Sequence, residues 1–103
     1  MIMSGRLHQL MSADPRALED CRAFLQPGDE VLLVDAGVHL LTDSDALFAR
    51  LQNKDFTLRI SALRSDILSR GLEAASRHGR ISLLNDAQWV ERVFSSSKVL
   101  SWK

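Results

Sequence analysis

Residues Pro27 to Leu41 read PGDEVLLVDAGVHLL. A turn, Pro27-Gly28-Asp29, feeds a short apolar run, Val31-Leu32-Leu33-Val34, which ends at Asp35 and Gly37. A run of this kind fits a strand buried on both faces, as in a parallel sheet covered by helices. In such sheets function collects at the carboxyl ends of the strands. Here that end continues as Val38-His39-Leu40-Leu41 rather than as a polar loop. An apolar segment in that place implies a surface that something else covers, either the chain's own next helix or a partner. The expectation leans to a partner.

The flanking sequence supplies the rest of the pattern. Upstream, Leu7 to Met11 suits a first strand. Asp14-Pro15 then marks a helix start, with Asp as N-cap and Pro at the first helical position. That helix is expected over Pro15 to Leu25, with Leu18, Cys21 and Leu25 on one face beside Ala17 and Phe24. Downstream, Thr42 or Ser44 can cap a helix carrying Leu47, Phe48 and Leu51. Asn53-Lys54-Asp55 reads as a polar turn. Phe56, Leu58 and Ile60 alternate with polar residues, as in a strand with one buried face. Leu63, Ile67 and Leu68 have helical spacing, and Gly71 suits a C-cap. Leu72 to Arg77 suggests one more helical turn before His78-Gly79. Ile81 to Leu84 reads as a strand, and Asn85 with Gln88 as a capping box. The helix after it carries Trp89, Val90, Val93 and Phe94. Val99-Leu100-Ser101-Trp102 is the fifth strand. Alternating strands and helices imply an α/β domain over residues 1–103, a mainly parallel sheet with helices on both faces.

Composition narrows the function classes. Of 103 residues, 46% are hydrophobic and 25% charged, a globular balance. Lys plus Arg equals Asp plus Glu at 13 each, so the formal charge is zero. Nucleic-acid binders draw most of their affinity from phosphate neutralisation, so direct nucleic-acid binding is not expected. The single cysteine, Cys21, excludes an internal disulfide, and the Cys and His residues make no zinc pattern. Neither a signal peptide nor a membrane span is read, so a cytoplasmic protein is expected. Neither GxGxxG nor GxxxxGK[ST] occurs, and no cofactor is expected.

Four stretches resemble the TusB/DsrH family, the small subunit of sulfur-relay complexes. These are Leu7-His8-Gln9-Leu10, the Gly28-Asp29 turn with its strand through Gly37-Val38, the helix end from Leu63 to Gly71, and Trp89-Val90-Glu91 with the closing Val99 to Trp102. They span nearly the whole chain in the family's order. Ala36 and His39 stand where the family often has an acid and a Tyr, and Asn85 to Gln88 replaces its Asp-Tyr turn. The resemblance implies a flavodoxin-like (DsrEFH-like) three-layer fold of about five mainly parallel strands. It also implies a hetero-oligomer with TusC/DsrF-like and TusD/DsrE-like subunits, handing sulfur on to a TusE/DsrC-like acceptor. The relay cysteine is then expected on the TusD/DsrE-type partner, and this subunit is expected to be structural. The delivered sulfur would serve 2-thiolation of a tRNA wobble uridine or, in the Dsr systems, sulfur oxidation.

Several residues merit weighing as sites. Some DsrH members carry a cysteine at the position of Cys21, which admits a persulfide reading. Its apolar helix face argues for a packed, inert thiol instead. Asp35 and Gly37 could hold a ligand at the strand end, but a turn with local capping explains them more simply, and Gly28 and Gly71 are turn residues of the same kind. Val38, His39, Leu40 and Trp102 are the expected partner-interface residues. His8, His39 and His78 share no helix face, and no carboxylate is predictable beside them. Asp66 and Arg70, four apart on one helix, can pair.

Overall fold

The computed structural model describes residues 5–52, 56–76 and 79–103. The expected Asn53-Lys54-Asp55 turn and His78 lie outside the described residues. Five strands form one sheet: β1 (Leu7–Leu10), β2 (Glu30–Leu33), β3 (Arg59–Leu63), β4 (Ser82–Leu84) and β5 (Val99–Trp102). All four pairings are parallel, in the order β4-β3-β2-β1-β5. The helices are α1 (Pro15–Ala23), α2 (Ser44–Leu51), α3 (Arg64–Ser69) and α4 (Asp86–Ser95). A 3-10 segment, Asp35–Asp43, leads from β2 into α2.

The strand order decides where the helices lie. From β1 to β4 each step moves the same way across the sheet, so right-handed crossovers put α1, α2 and α3 on one face. The step from β4 to β5 jumps back past β1, which sends α4 alone to the other face. The two apolar clusters follow this division. Leu10, Val31, Leu33 and Ala62 of the strands meet Leu18 and Cys21 of α1, Leu47 and Leu51 of α2, and Ile67 of α3. On the opposite face Leu7, Leu32, Leu63 and Leu84 meet Trp89 and Val93 of α4. The expected two-sided parallel sheet is therefore present, covered unequally. Among the described residues a single helix, α4, shields the second face, and no residue of it is buried. Val90 and Phe94 of this helix are 52% and 84% exposed.

Local chemistry explains the helix ends. Asp14 caps α1 by accepting from the Arg16 N–H, with Pro15 at the first position. Asn85 and Gln88 exchange both capping-box hydrogen bonds at α4. Asp43, rather than Thr42 or Ser44, caps α2 through the Ala46 N–H. Strand β3 begins at Arg59, later than its apolar alternation, because its partner β2 begins at Glu30 and the register is Glu30 to Arg59. Leu63 ends β3 rather than opening α3, and the turn expected over Leu72 to Arg77 is 3-10 at Ala74–Ser76.

Candidate functional site

The apolar segment after β2 folds back onto its own domain. The 3-10 segment directs Val38 and Leu41 into the larger core, at 0% and 2% exposure. Val38 therefore has no surface to offer a partner, which corrects its assignment as an interface residue. His39 and Leu40 remain half-exposed on the outer side of the same turn. Gly28 and Gly71 have φ of 87° and 68°, the left-handed region. Gly37 does not; its reason is contact. A Cβ there would lie 1.9 Å from the Leu10 carbonyl oxygen, because the segment crosses directly over the end of β1. The left-handed residue of this loop is Asp35, with φ of 52°. A non-glycine residue in that region stores strain, and such strain gathers at sites that other contacts over-determine.

Those contacts form a polar cluster at the carboxyl ends of β2 and β3. The Asp35 N–H donates to the Asp66 carboxylate at 2.5 Å. Arg70 Nη2 donates to Asp35 Oδ1 at 2.5 Å, and Arg70 Nη1 lies 3.2 Å from His39 Nε2. Asp66 and Arg70 thus serve the loop, and the direct pair expected between them gives way to these bonds. The arrangement holds a guanidinium between a carboxylate and an imidazole, on a rim where Asp35 is 60% exposed. Its guanidinium, carboxylates and imidazole suit polar recognition. Beside it, a cavity of about 370 Å³ has Leu18, Leu40 and Leu47 on its walls with His39, Asp43 and Arg50.

A second polar cluster occupies the amino end of the sheet and is sealed. His8 is fully buried, with Nε2 at 2.7 Å from Asp29 Oδ2. Trp102 Nε1 donates to His8 Nδ1 at 3.1 Å, and the two rings stack. Since Nδ1 accepts, Nε2 carries the proton and donates to Asp29, which makes His8 a neutral imidazole. Burial pushes the His8 pKa below its ordinary value, against the opposing pull of Asp29. Burial alone would raise the Asp29 carboxyl, but Arg6, His8 and the N–H groups of Arg6 and Gln26 together hold it below the usual range. Arg6 adds a hydrogen bond to the Phe24 carbonyl. The carboxylate beside His8 was not predictable, because it depends on which residues β1 and β2 set side by side. Trp102 is half-buried, fixed by His8 from below and by the Phe24 ring 5.3 Å away.

Cys21 belongs to this sealed end. Its thiol is fully buried, and burial, with the Asp29 charge, pushes its pKa up to about 12. Arg22 turns away and pairs with Glu19. A thiol so placed is neither ionised nor accessible at neutral pH. Among the described residues no three His, Cys, Asp or Glu side chains are grouped to hold a metal ion, and no helix is long and apolar enough to cross a membrane.

Comparison with known proteins agrees with this architecture. A solved structure of a conserved protein of unknown function from Bacteroides thetaiotaomicron superposes with a TM-score of 0.61 at 17% identity, over 93% of each chain. At that identity the likeness speaks to the fold. No curated protein matches. The family model described as "DsrH like protein" matches residues 12–99. That span runs from the end of β1 into β5 and takes in the helix of Cys21, the loop of Asp35 and the α3 arginine, so the chain belongs to the DsrH-like family.

Proposed function

We propose that this chain is a non-catalytic subunit of a hetero-oligomeric sulfur-relay complex of the TusBCD type, acting in the cytoplasm toward 2-thiolation of a tRNA wobble uridine. Membership of the DsrH-like family supports the sulfur-relay reading. The single observation that carries the non-catalytic part is the buried, un-ionised thiol of Cys21. A persulfide carrier needs an open thiolate, and the surface clusters described above offer no other sulfur. The partners are TusC/DsrF-like and TusD/DsrE-like subunits. His39, Leu40 and Trp102 are the proposed contact residues, with His39 and Leu40 on the rim of the apolar-walled cavity.

The test is co-expression with candidate C- and D-type subunits, followed by size exclusion and a tRNA thiolation assay. Co-elution, with full thiolation by a Cys21→Ser variant, is the expected result. A chain that stays monomeric beside its candidate partners, or a Cys21→Ser complex that no longer transfers sulfur, overturns the proposal. A complex that forms but supports sulfur oxidation rather than thiolation redirects the destination to the Dsr type.

A further inference from the structure

A cavity of about 240 Å³ lies at the amino end of the sheet, on the face that carries only α4, and Arg6, Arg59 and Arg92 reach its wall. Two of these arginines are already held by buried acids, Arg6 on the α1 side of the sheet and Arg92 on the cavity side. Asp29 takes Nε and Nη2 of Arg6, and Glu30 Oε1 takes Nε of Arg92 at 2.9 Å. Both acids are almost wholly buried, at 3% and 7% exposure. They are also saturated: Asp29 further accepts from His8 and from the backbone N–H groups of Arg6 and Gln26. Glu30 Oε2 accepts from Ser61 Oγ.

Arg59 is the consequence of that saturation. Its Cα is the register partner of Glu30, the carboxylate it would naturally pair with. Glu30 is already committed to Arg92 and Ser61, and Arg59 has no ion pair among the described residues. On the α4 face the cavity wall therefore carries the guanidinium groups of Arg59 and Arg92 against the single carboxylate of Glu30. The Nη groups of Arg92 and every side-chain donor of Arg59 are without partners among the described residues. At the end of α4, Ser96 caps the Arg92 carbonyl through both N–H and Oγ. Guanidinium forks held in place by buried carboxylates match the geometry of tetrahedral oxyanions, which accept paired N–H donors.

From this geometry we infer that the amino-end cavity binds a small free divalent oxyanion of the sulfate or phosphate class, with Arg59 and Arg92 as its main ligands. The inference is independent of the sulfur-relay reading, since it concerns the end of the sheet opposite the His39 rim. It is tested on the full chain alone, by following arginine Nε–H resonances while sodium sulfate is added against sodium chloride at matched ionic strength. Saturable shifts of Arg59 and Arg92 with sulfate, absent with chloride, are expected. Arg59→Gln, an exposed side chain whose loss leaves the fold untouched, should weaken sulfate at least about ten-fold. Arg92→Lys, which keeps a cation for Glu30 but loses the fork, should also weaken it. Arg16→Gln, on α1, should leave affinity unchanged. Shifts that grow linearly, that chloride reproduces, or that survive Arg59→Gln undiminished overturn the proposal.

Discussion

The two ends of this sheet solve the problem of polar groups at a core boundary in opposite ways. At the amino end, Asp29 collects Arg6, His8 and two backbone N–H groups in a site that is 3% exposed. At the carboxyl end, Asp35 holds a left-handed conformation and shares Arg70 with His39 in a site open to water. Buried groups are worth much because they have no alternative partner, whereas exposed ones trade partners with solvent at little cost. The carboxyl end, where parallel sheets usually gather function, thus has a cluster free to exchange its partners for those of another molecule. The amino end holds the strands together.

The sharpest way to break that contrast is at Asp29. Asp29→Ala should lower stability by about 3–5 kcal/mol, since it strips a buried ion pair and orphans the His8 and backbone donors. Asp29→Asn should fall between the two. Urea unfolding measures both. A loss under about 1 kcal/mol would place this cluster in the same class as an exposed pair.

Gly37→Ala tests whether the carboxyl end has a rigid element beneath its open rim. The added Cβ meets the Leu10 carbonyl, a backbone atom that also accepts from the Val34 N–H at 3.1 Å. Backbone cannot rotate aside, so the cost should reach about 3 kcal/mol, the upper part of the overpacking range. Thermal unfolding of the variant checks it.

The sequence made most of this fold legible, and the gaps have physical causes. Propensity and capping are local, so the Asp14-Pro15 start and the Asn85/Gln88 box could be read directly. The buried strand at Val31 announced itself by its unbroken apolar run. Register is not local. Nothing in the order of residues says that Glu30 lies beside Leu7 and Arg59, and from that alignment come the His8–Asp29 bond and an Arg59 with no ion pair among the described residues. The same limit hid the destination of Arg70, which helical spacing assigned to Asp66. Val38 was misjudged as a partner surface because hydrophobicity specifies burial without saying by what. The 3-10 turn that buries it within the chain leaves no periodic signal. In the carboxyl-end cluster the residues themselves, Asp35, His39, Asp66 and Arg70, could all be picked out, and only their pairing could not.

Acid sensitivity tests the amino-end cluster, whose two titratable groups act in separate pH windows. His8 has a folded pKa below its unfolded value of about 6.5. The unfolded chain therefore binds this proton first, and stability falls as pH drops below about 6.5 toward the folded pKa. Asp29 has a depressed folded pKa, so its contribution is complete above the unfolded carboxylate value near 4 and is lost as pH falls through the folded one. Each group gives a limiting slope of about 1.4 kcal/mol per pH unit within its own window. Replacing His8 with Gln should flatten the upper window and leave the lower one. A stability curve that is level from pH 7 to 5 would contradict the neutral, Trp102-bound imidazole.

The smallest expected effect is at Arg70, and it is the most telling. Arg70 is 31% exposed and its partner Asp35 is 60% exposed, so their attraction is weakened by water. Arg70→Ala should cost no more than about 1 kcal/mol in urea unfolding. Yet Arg70 also orders His39, which stands on the rim of the apolar-walled cavity. If that rim meets a partner subunit, Arg70→Ala should weaken assembly by more than it weakens folding, because the lost bond then orients a contact residue. Pull-down by a tagged partner subunit, compared with unfolding of the same variant, reads the two effects separately. Equal losses would return Arg70 to an ordinary surface ion pair and move the contact surface elsewhere, most directly to the exposed Val90 and Phe94 of α4.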